Sequence, residues 1–303
     1  MFNLKILRQF FEKKAGKIDK RLRLVISVLI LGLLMLFSTF FNFDKAFFFV
    51  PVFIVVTYFL SYFSLLEGIK KIFWFGLFLI PELITLFFYL FYFLFPGRWL
   101  TRLPFIFIYE VSIYAVLLCA NIFNVGVEKN LQLYRAAFSI NFFYQALVSF
   151  LFYNVLFSFK YNFFINIIGA GMSSFLLSLQ LFWTIRLNKY LEKDILFYSL
   201  FMALLMAEIG LLISFVPLRI PVYALFLTAT YYSVTGIIYH HIDQKLFKET
   251  IREYVSVWIF VLIITLLSLS WEEFIRSKIL LTDFKRIDPE VGERGKAFST
   301  NVK

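Results

Sequence analysis

Runs of eighteen or more predominantly apolar residues recur along most of the chain, separated by short polar connections. Such runs predict transmembrane helices, because about 20 helical residues cross the hydrocarbon core. They lack the period-two alternation of membrane-barrel strands. We therefore predict an all-α, polytopic integral membrane helix bundle of nine spans. These are Leu24–Phe41, Ala46–Leu66, Ile72–Phe95, Leu103–Phe123, Ala136–Phe159, Phe163–Ile185, Ile195–Val216, Val222–Tyr239 and Tyr254–Trp271.

The polar segments at the two ends of the chain divide it into three parts. Residues 1–23 are predicted to be a basic amphipathic segment in the cytoplasm, because apolar positions recur there at helical spacing among Lys and Arg. Residues 24–271 are the predicted nine-helix transmembrane domain. Residues 272–303 are predicted to be a polar, partly disordered tail. An odd number of spans places this tail outside the cytoplasm.

Lys and Arg are distributed unevenly between the two sides of this topology. With the N-terminus in the cytoplasm, eighteen of them precede the first span or lie in inner loops, and five lie in outer loops. This asymmetry follows the positive-inside rule. We therefore expect a multi-pass protein of the plasma (inner) membrane, of bacterial type, with its N-terminus in the cytoplasm.

Composition supports the membrane assignment and limits the partners. Hydrophobic residues make up 61% of the chain and charged residues 16%, whereas soluble domains carry nearer a quarter charged residues. The net charge of +11 arises mainly beside spans, which favours anionic lipids at the cytoplasmic face over nucleic acid. The lipid bilayer is the expected partner, a protein partner is open, and no cofactor is predicted. The one cysteine, Cys119, excludes an internal disulfide.

Three glutamates, Glu82, Glu110 and Glu208, interrupt the apolar spans. A carboxylate at the bilayer centre costs roughly 2.5–3.5 kcal/mol on insertion scales, so each must be protonated, face water or hold a cation. Their predicted depths overlap enough for one shared cavity that opens outward. The alternative is structural: protonated acids that hydrogen-bond neighbouring helices together.

Polar residues at helical spacing extend these positions into stripes. The stripes are Glu82–Thr85–Tyr89–Tyr92, Glu110–Tyr114–Asn121, Asn141–Gln145–Ser149 and Thr228–Tyr232–Thr235–Tyr239. Apolar residues share the helical face of Glu208. The candidate ligand- or ion-binding residues are therefore Glu82, Glu110, Glu208, Tyr89, Asn121, Gln145 and Tyr232.

The segment Tyr239-His240-His241-Ile242-Asp243 follows the eighth span. His240 and Asp243 are three residues apart and are weak candidates for metal ligands. We favour a different interpretation, in which residues 240–253 form an amphipathic helix at the membrane interface.

Three functions fit these residues. The first is transport or binding of protons, a small cation or a cationic solute through a Glu-lined intramembrane cavity. The second is a non-catalytic membrane scaffold or accessory subunit. The third, a lipid-modifying enzyme, is weakened because the chain contains no nucleophile–base or metal set, no Walker A loop and no H-E-x-x-H. No catalytic residue is predicted.

Overall fold

The computed structural model describes residues 18–41, 46–66, 74–94, 99–125, 131–188, 190–216 and 218–268. These ranges contain nine α-helices and no strand. The helices are α1 (Lys20–Ser38), α2 (Ala46–Ser64), α3 (Trp74–Tyr92), α4 (Trp99–Val125), α5 (Leu131–Ser158), α6 (Phe163–Arg186), α7 (Lys193–Ser214), α8 (Ile220–Ile242) and α9 (Lys248–Leu267).

Each helix coincides with one predicted span, so the predicted polytopic helix bundle is confirmed. Eight of the described helices are long and apolar enough to cross a membrane, while the apolar part of α2, Phe48–Ser64, is slightly shorter. Helix α1 begins four residues before its predicted span, and α9 begins six residues before its span. Polar residues at these two ends continue the helix beyond the apolar run. Helices α4 and α5 have 27 and 28 residues, about 40 Å of helix, and exceed the hydrocarbon thickness of about 30 Å.

Contacts between helix ends establish an up-and-down arrangement. We call the end of the bundle where α1 begins the proximal end. There, the starts of odd-numbered helices meet the ends of α2, α4, α6 and α8. The contacting pairs are Ser27–Ser64, Tyr134–Thr184, Tyr198–His241 and Gly236–Tyr254, and Asn124–Leu65 joins the ends of α4 and α2 at the same level.

At the opposite, distal end, the pairing is reversed. The ends of odd-numbered helices meet the starts of even-numbered ones. The pairs are Phe37–Phe49, Tyr92–Phe105, Phe157–Tyr223 and Ser214–Asn166. Each described helix therefore runs antiparallel to the next one in the chain.

Helix α5 occupies the centre of the bundle and packs against α3, α4, α6 and α8. The α1–α2 hairpin lies against α3 and α4 on one side, and α9 packs mainly on α8 on the other. The outward faces carry large apolar side chains such as Phe107, Leu204 and Phe260, each at least 60% exposed. These faces contact the lipid bilayer, and the chain is a multi-pass membrane protein.

The predicted interfacial helix over residues 240–253 is wrong. Helix α8 continues to Ile242, residues 243–247 form a turn, and α9 begins at Lys248. Gln244 takes a left-handed φ of 56° in this turn, which ends α8 without a glycine. Residues 1–17 of the predicted basic segment lie outside the described residues. So do Trp271, the predicted end of the ninth span, and the predicted tail 272–303.

Small residues bring α6 and α7 closer together than the other helix pairs. A Cβ added at Gly171 would lie 3.1 Å from the Ala203 carbonyl oxygen and 3.2 Å from Ala207 Cβ. A Cβ at Gly210 would lie 3.1 Å from Ala170 Cβ. Close approach of backbones through small residues is a main source of helix association in lipid.

The substitution Gly171→Leu should therefore destabilise the protein. A larger side chain forces the two backbones apart, and overpacking typically costs about 1–3 kcal/mol. The measurement is the thermal unfolding midpoint of the purified protein in detergent. Met172→Leu is the matched control, because Met172 is 63% exposed on the outer surface. Equal midpoints for the two variants would contradict the close α6–α7 packing.

Candidate functional site

Glu82 lies near the middle of α3, directly after Pro81. Its side chain is half-buried, and its Oε1 atom is fully buried with no hydrogen-bond partner among the described residues. Proline has no amide hydrogen, so the carbonyl of Leu77 loses its helical donor. A polar atom buried without a partner costs about 1–3 kcal/mol, and Glu82 is the carboxylate with such an atom among the described residues.

Tyr109 and Thr85 lie between α3 and α4, close to this carboxylate. The Thr85 hydroxyl donates to the Pro81 carbonyl (2.9 Å) and lies 3.0 Å from the Tyr109 hydroxyl. Tyr109 is fully buried and within electrostatic range of both Glu82 and Glu110. Two of the three predicted acids therefore lie around one buried hydroxyl pair.

Glu110 extends from α4 across the backbone of α1. A side chain at position 32 would collide with the Glu110 carboxylate, so Gly32 is required for this close approach. Gly32 lies twelve residues into α1 and Glu110 eleven residues into α4, which runs the opposite way. Gly32 is thus roughly 18 Å from the proximal end of α1 and Glu110 roughly 16 Å from the distal end of α4, so both lie inside the hydrocarbon core.

The structure does not bring Glu208 together with the other two acids. Glu208 is exposed on α7, on the same outer face as Leu204 and Leu212, which are 60% and 67% exposed. Helix α7 packs mainly against α6 and α8, whereas Glu82 and Glu110 belong to α3 and α4.

Two other predicted residues lie near the acids on the same helices. Tyr89, two turns after Glu82, is fully buried and packs on Phe53 of α2, with ring centroids 4.6 Å apart. Asn121 is half-buried on α4, and its Oδ1 atom is buried without a hydrogen bond to any described residue. Tyr89 therefore contributes to helix packing, and Asn121 leaves a second acceptor open on α4.

Gln145 is the centre of a buried amide network between α5, α6 and α8. Its Nε2 donates to Gln180 Oε1, and its Oε1 accepts a hydrogen bond from the Tyr231 hydroxyl at 2.8 Å. Asn141 Nδ2 also donates to Gln180 Oε1, at 3.3 Å. The spacing of Asn141 and Gln145 predicted one side of this network. Its partners Gln180 and Tyr231 were missed, because spacing within one helix does not show which neighbouring helix a side chain faces.

Helix α3, which carries Glu82, packs next to the amide network. Ile80 and Pro81 face Asn141 and Gln180 across a narrow gap that has no room for a water molecule. The amide network thus borders α3 at Pro81, the residue before Glu82.

Tyr232 belongs to a different site, a cleft of about 660 Å³ at the proximal end. We call it the proximal cleft. Helices α5, α8 and α9 form its walls, with Ile185 of α6. Its lining residues are Tyr134, Arg135, Phe138, Ser139, Phe142, Phe143, Ala146, Ile185, Tyr232, Tyr239, His240, Asp243, Lys245 and Tyr254. The sequence pointed to Tyr232, Tyr239, His240 and Asp243 but not to the cleft, because two helices separate α5 from α8 in the chain.

His240 and Asp243, the weak metal candidates, both line the proximal cleft. The Asp243 carboxylate accepts an ion pair from Lys245 Nζ at 2.7 Å. His240 Nδ1 is buried and has no hydrogen-bond partner within the described ranges. No group of three or more His, Cys, Asp or Glu side chains suited to a metal ion occurs in the described part of the chain.

The amide network should show energetic coupling between Gln145 and Tyr231. Gln145→Leu or Tyr231→Phe alone leaves a buried partner unsatisfied, whereas the double variant removes both groups. We expect the double variant to be more stable than the sum of the single losses predicts, by about 0.5–2 kcal/mol. Thermal or denaturant unfolding of the four proteins in a double-mutant cycle measures this difference. Strict additivity would show that the hydrogen bond contributes nothing.

Comparison with known proteins places the sequence in a family. Curated proteins and solved structures gave no significant match. A family model, described as a protein of unknown function (DUF5656), matches residues 79–268. The match extends from Leu79 in α3 through α9 and therefore includes Glu82, Glu110, the amide network and the proximal cleft. Because it covers more than half of the sequence, this protein belongs to the DUF5656 family.

Proposed function

We propose that the protein binds protons, a small cation or a cationic solute at Glu82 and Glu110, and transports it across the membrane. The observation that supports this proposal best is the buried Glu82 Oε1 atom, which has no hydrogen-bond partner among the described residues. A carboxylate that served only to join helices would be expected to reach a donor on a neighbouring helix. An open acceptor at this depth suits an ion or a proton instead.

The surrounding charges support the same interpretation. The described cations nearest Glu110 along the helices are Arg102 on α4, eight residues or roughly 12 Å away, and Arg23 on α1, nine residues or roughly 14 Å from Gly32. Glu82 and Glu110 both lie within electrostatic range of Tyr109. A carboxylate is costly inside the bilayer, and binding of a proton or cation lowers that cost.

Helix α3 supplies features that suit an ion site. Pro81 interrupts the hydrogen-bond ladder and leaves a backbone carbonyl available, as is common beside intramembrane sites. The Thr85 and Tyr109 hydroxyls add oxygen atoms next to the acids. Carboxylate, hydroxyl and carbonyl oxygens are the ligands that hard cations prefer.

Charge asymmetry supports a cytoplasmic location for the proximal end, in a plasma membrane. Described Lys and Arg residues are concentrated there, as the positive-inside rule requires for a cytoplasmic face. Those at the proximal end are Lys20, Arg21, Arg23, Arg135, Arg186, Lys193, Lys245, Lys248 and Arg252. Those at the distal end are Arg102, Lys160 and Arg219.

Reconstitution into liposomes tests the role of Glu82. An imposed membrane potential drives flux of H⁺, Na⁺ or K⁺, which internal pH and cation dyes report. We expect Glu82→Gln to lower the flux by roughly tenfold or more, because a contact with a charged group contributes about 1.5–3 kcal/mol. Glu110→Gln should lower it to a smaller extent.

Glu208→Gln is the matched control, since it makes the same change on the exposed face of α7. It should leave the flux unchanged. Normal flux in Glu82→Gln, or equal loss in Glu208→Gln, would remove Glu82 from the mechanism. A wild-type protein that neither moves nor binds any of these cations would favour the scaffold alternative.

The orientation is tested by cysteine labelling in a Cys119→Ala background. Tyr161→Cys lies at the distal end and Lys193→Cys at the proximal end, and both positions are exposed. In intact cells, a membrane-impermeant maleimide should label the cysteine at position 161 but not the one at position 193. After the cells are permeabilised, both positions should be labelled. The opposite pattern would place the N-terminal side of α1 outside.

A further inference from the structure

We propose that the proximal cleft binds an anionic phospholipid, with its phosphate at the polar mouth and one acyl chain along the aromatic wall. This site is separate from Glu82 and does not depend on the proposed ion transport. Its lining residues come from α5, α8, α9 and the turn between α8 and α9, with one from α6, and include Arg135, Lys245 and His240 together with seven Phe and Tyr rings. The depth, direction and charge of the cleft support this assignment.

The cleft runs along the membrane normal from the interface into the hydrocarbon core. Arg135 lies four residues after the start of α5, and Ala146 lies eleven residues further along the same helix, a distance of roughly 16 Å. Charged residues line the outer part, and Phe142, Phe143 and Ala146 line the inner part. The polar outer part therefore suits a lipid headgroup, and the apolar inner part suits its acyl chain.

The cleft opens sideways onto the bilayer. On α5, Arg135, Ser139 and Phe143 are exposed, and Phe143 is 61% exposed. A ligand can therefore enter from the membrane. The volume of about 660 Å³ lies in the range of small-molecule pockets and suits a headgroup with part of one chain.

The aromatic wall is ordered by ring stacking. Phe138 stacks on Tyr239 with ring centroids 3.9 Å apart, and Phe142 stacks on Tyr232 at 4.6 Å. Tyr254 of α9 closes the opposite side, with its ring 5.5 Å from that of Tyr232. Stacked rings present flat, rigid surfaces against which an extended acyl chain can pack at little entropic cost.

The mouth carries an unmatched positive charge. Lys245 and Asp243 neutralise each other as an ion pair, which leaves the exposed Arg135 as the net charge of the lining. His240 adds a buried Nδ1 atom without a partner in the described ranges, a position that a phosphate oxygen or hydroxyl can satisfy. Glu253 also acts on His240 electrostatically but does not line the cleft. Basic pockets between transmembrane helices are known forms of anionic headgroup sites.

Native mass spectrometry of the detergent-purified full chain, titrated with phosphatidylglycerol, measures this binding. The variant Arg135→Gln should weaken retention of phosphatidylglycerol by about fivefold or more, since one Arg near a headgroup contributes about 1 kcal/mol. Arg219→Gln removes one exposed arginine at the distal end and should bind normally. Equal weakening in both variants would overturn the proposal in favour of general surface attraction.

A second variant tests the acyl-chain part without altering charge. Ala146→Phe fills the inner end of the cleft and should weaken phosphatidylglycerol binding while the thermal unfolding midpoint stays near that of the wild type. If this variant unfolds, competition by lipids on the wild-type protein decides the question. Phosphatidylcholine should bind more weakly than phosphatidylglycerol, and glycerol phosphate should not displace the lipid. Equal binding of phosphatidylcholine, or displacement by glycerol phosphate, would overturn the assignment to an anionic lipid.

Discussion

The hydrocarbon core offers no hydrogen bonds, so each polar group in this bundle must find a partner within the protein. Most hydroxyls meet this requirement within their own helix, as Ser178 does with Ser174 and Thr230 with Phe226. Asn141, Gln145 and Gln180 meet it across helices. Glu82 and His240 each keep a buried atom without a described partner, and each lies beside other polar groups that could share a ligand.

The nine helices were predictable because an apolar run of eighteen residues has few alternatives to a membrane helix. The helix ends were less predictable, since polar residues such as Lys20 and Lys248 continue the helix into the interface. Sequence spacing also placed Glu82 and Gln145 on inward faces. It failed for Glu208, because Leu and Phe neighbours are equally typical of the bundle interior and of a lipid-facing surface. Hydrophobicity does not separate these two environments in a membrane protein.

The sequence did not predict which helices distant in the chain pack against each other. Gln180 and Tyr231 complete the network of Gln145, yet nothing in their local pattern indicates which helix they face. The proximal cleft was missed for the same reason, because α5 and α8 are separated by two helices in the chain. The family match covers both sites but not α1, whose Gly32 accommodates Glu110. The α1–α2 hairpin thus shapes the surroundings of Glu110 from outside the matched segment.

Helix α9 is attached to the bundle mainly through α8, by contacts that include the Trp258 indole donating to Thr230 at 3.0 Å and the Tyr254 ring over Gly236. A helix with one main neighbour loses fewer contacts when it moves than a helix packed on several sides. Because α9 also forms one wall of the proximal cleft, small lateral excursions of this helix change the width of the opening. If a molecule occupies that cleft, we expect its residence time to depend more on how firmly α9 is held to α8 than on the helices at the centre of the bundle.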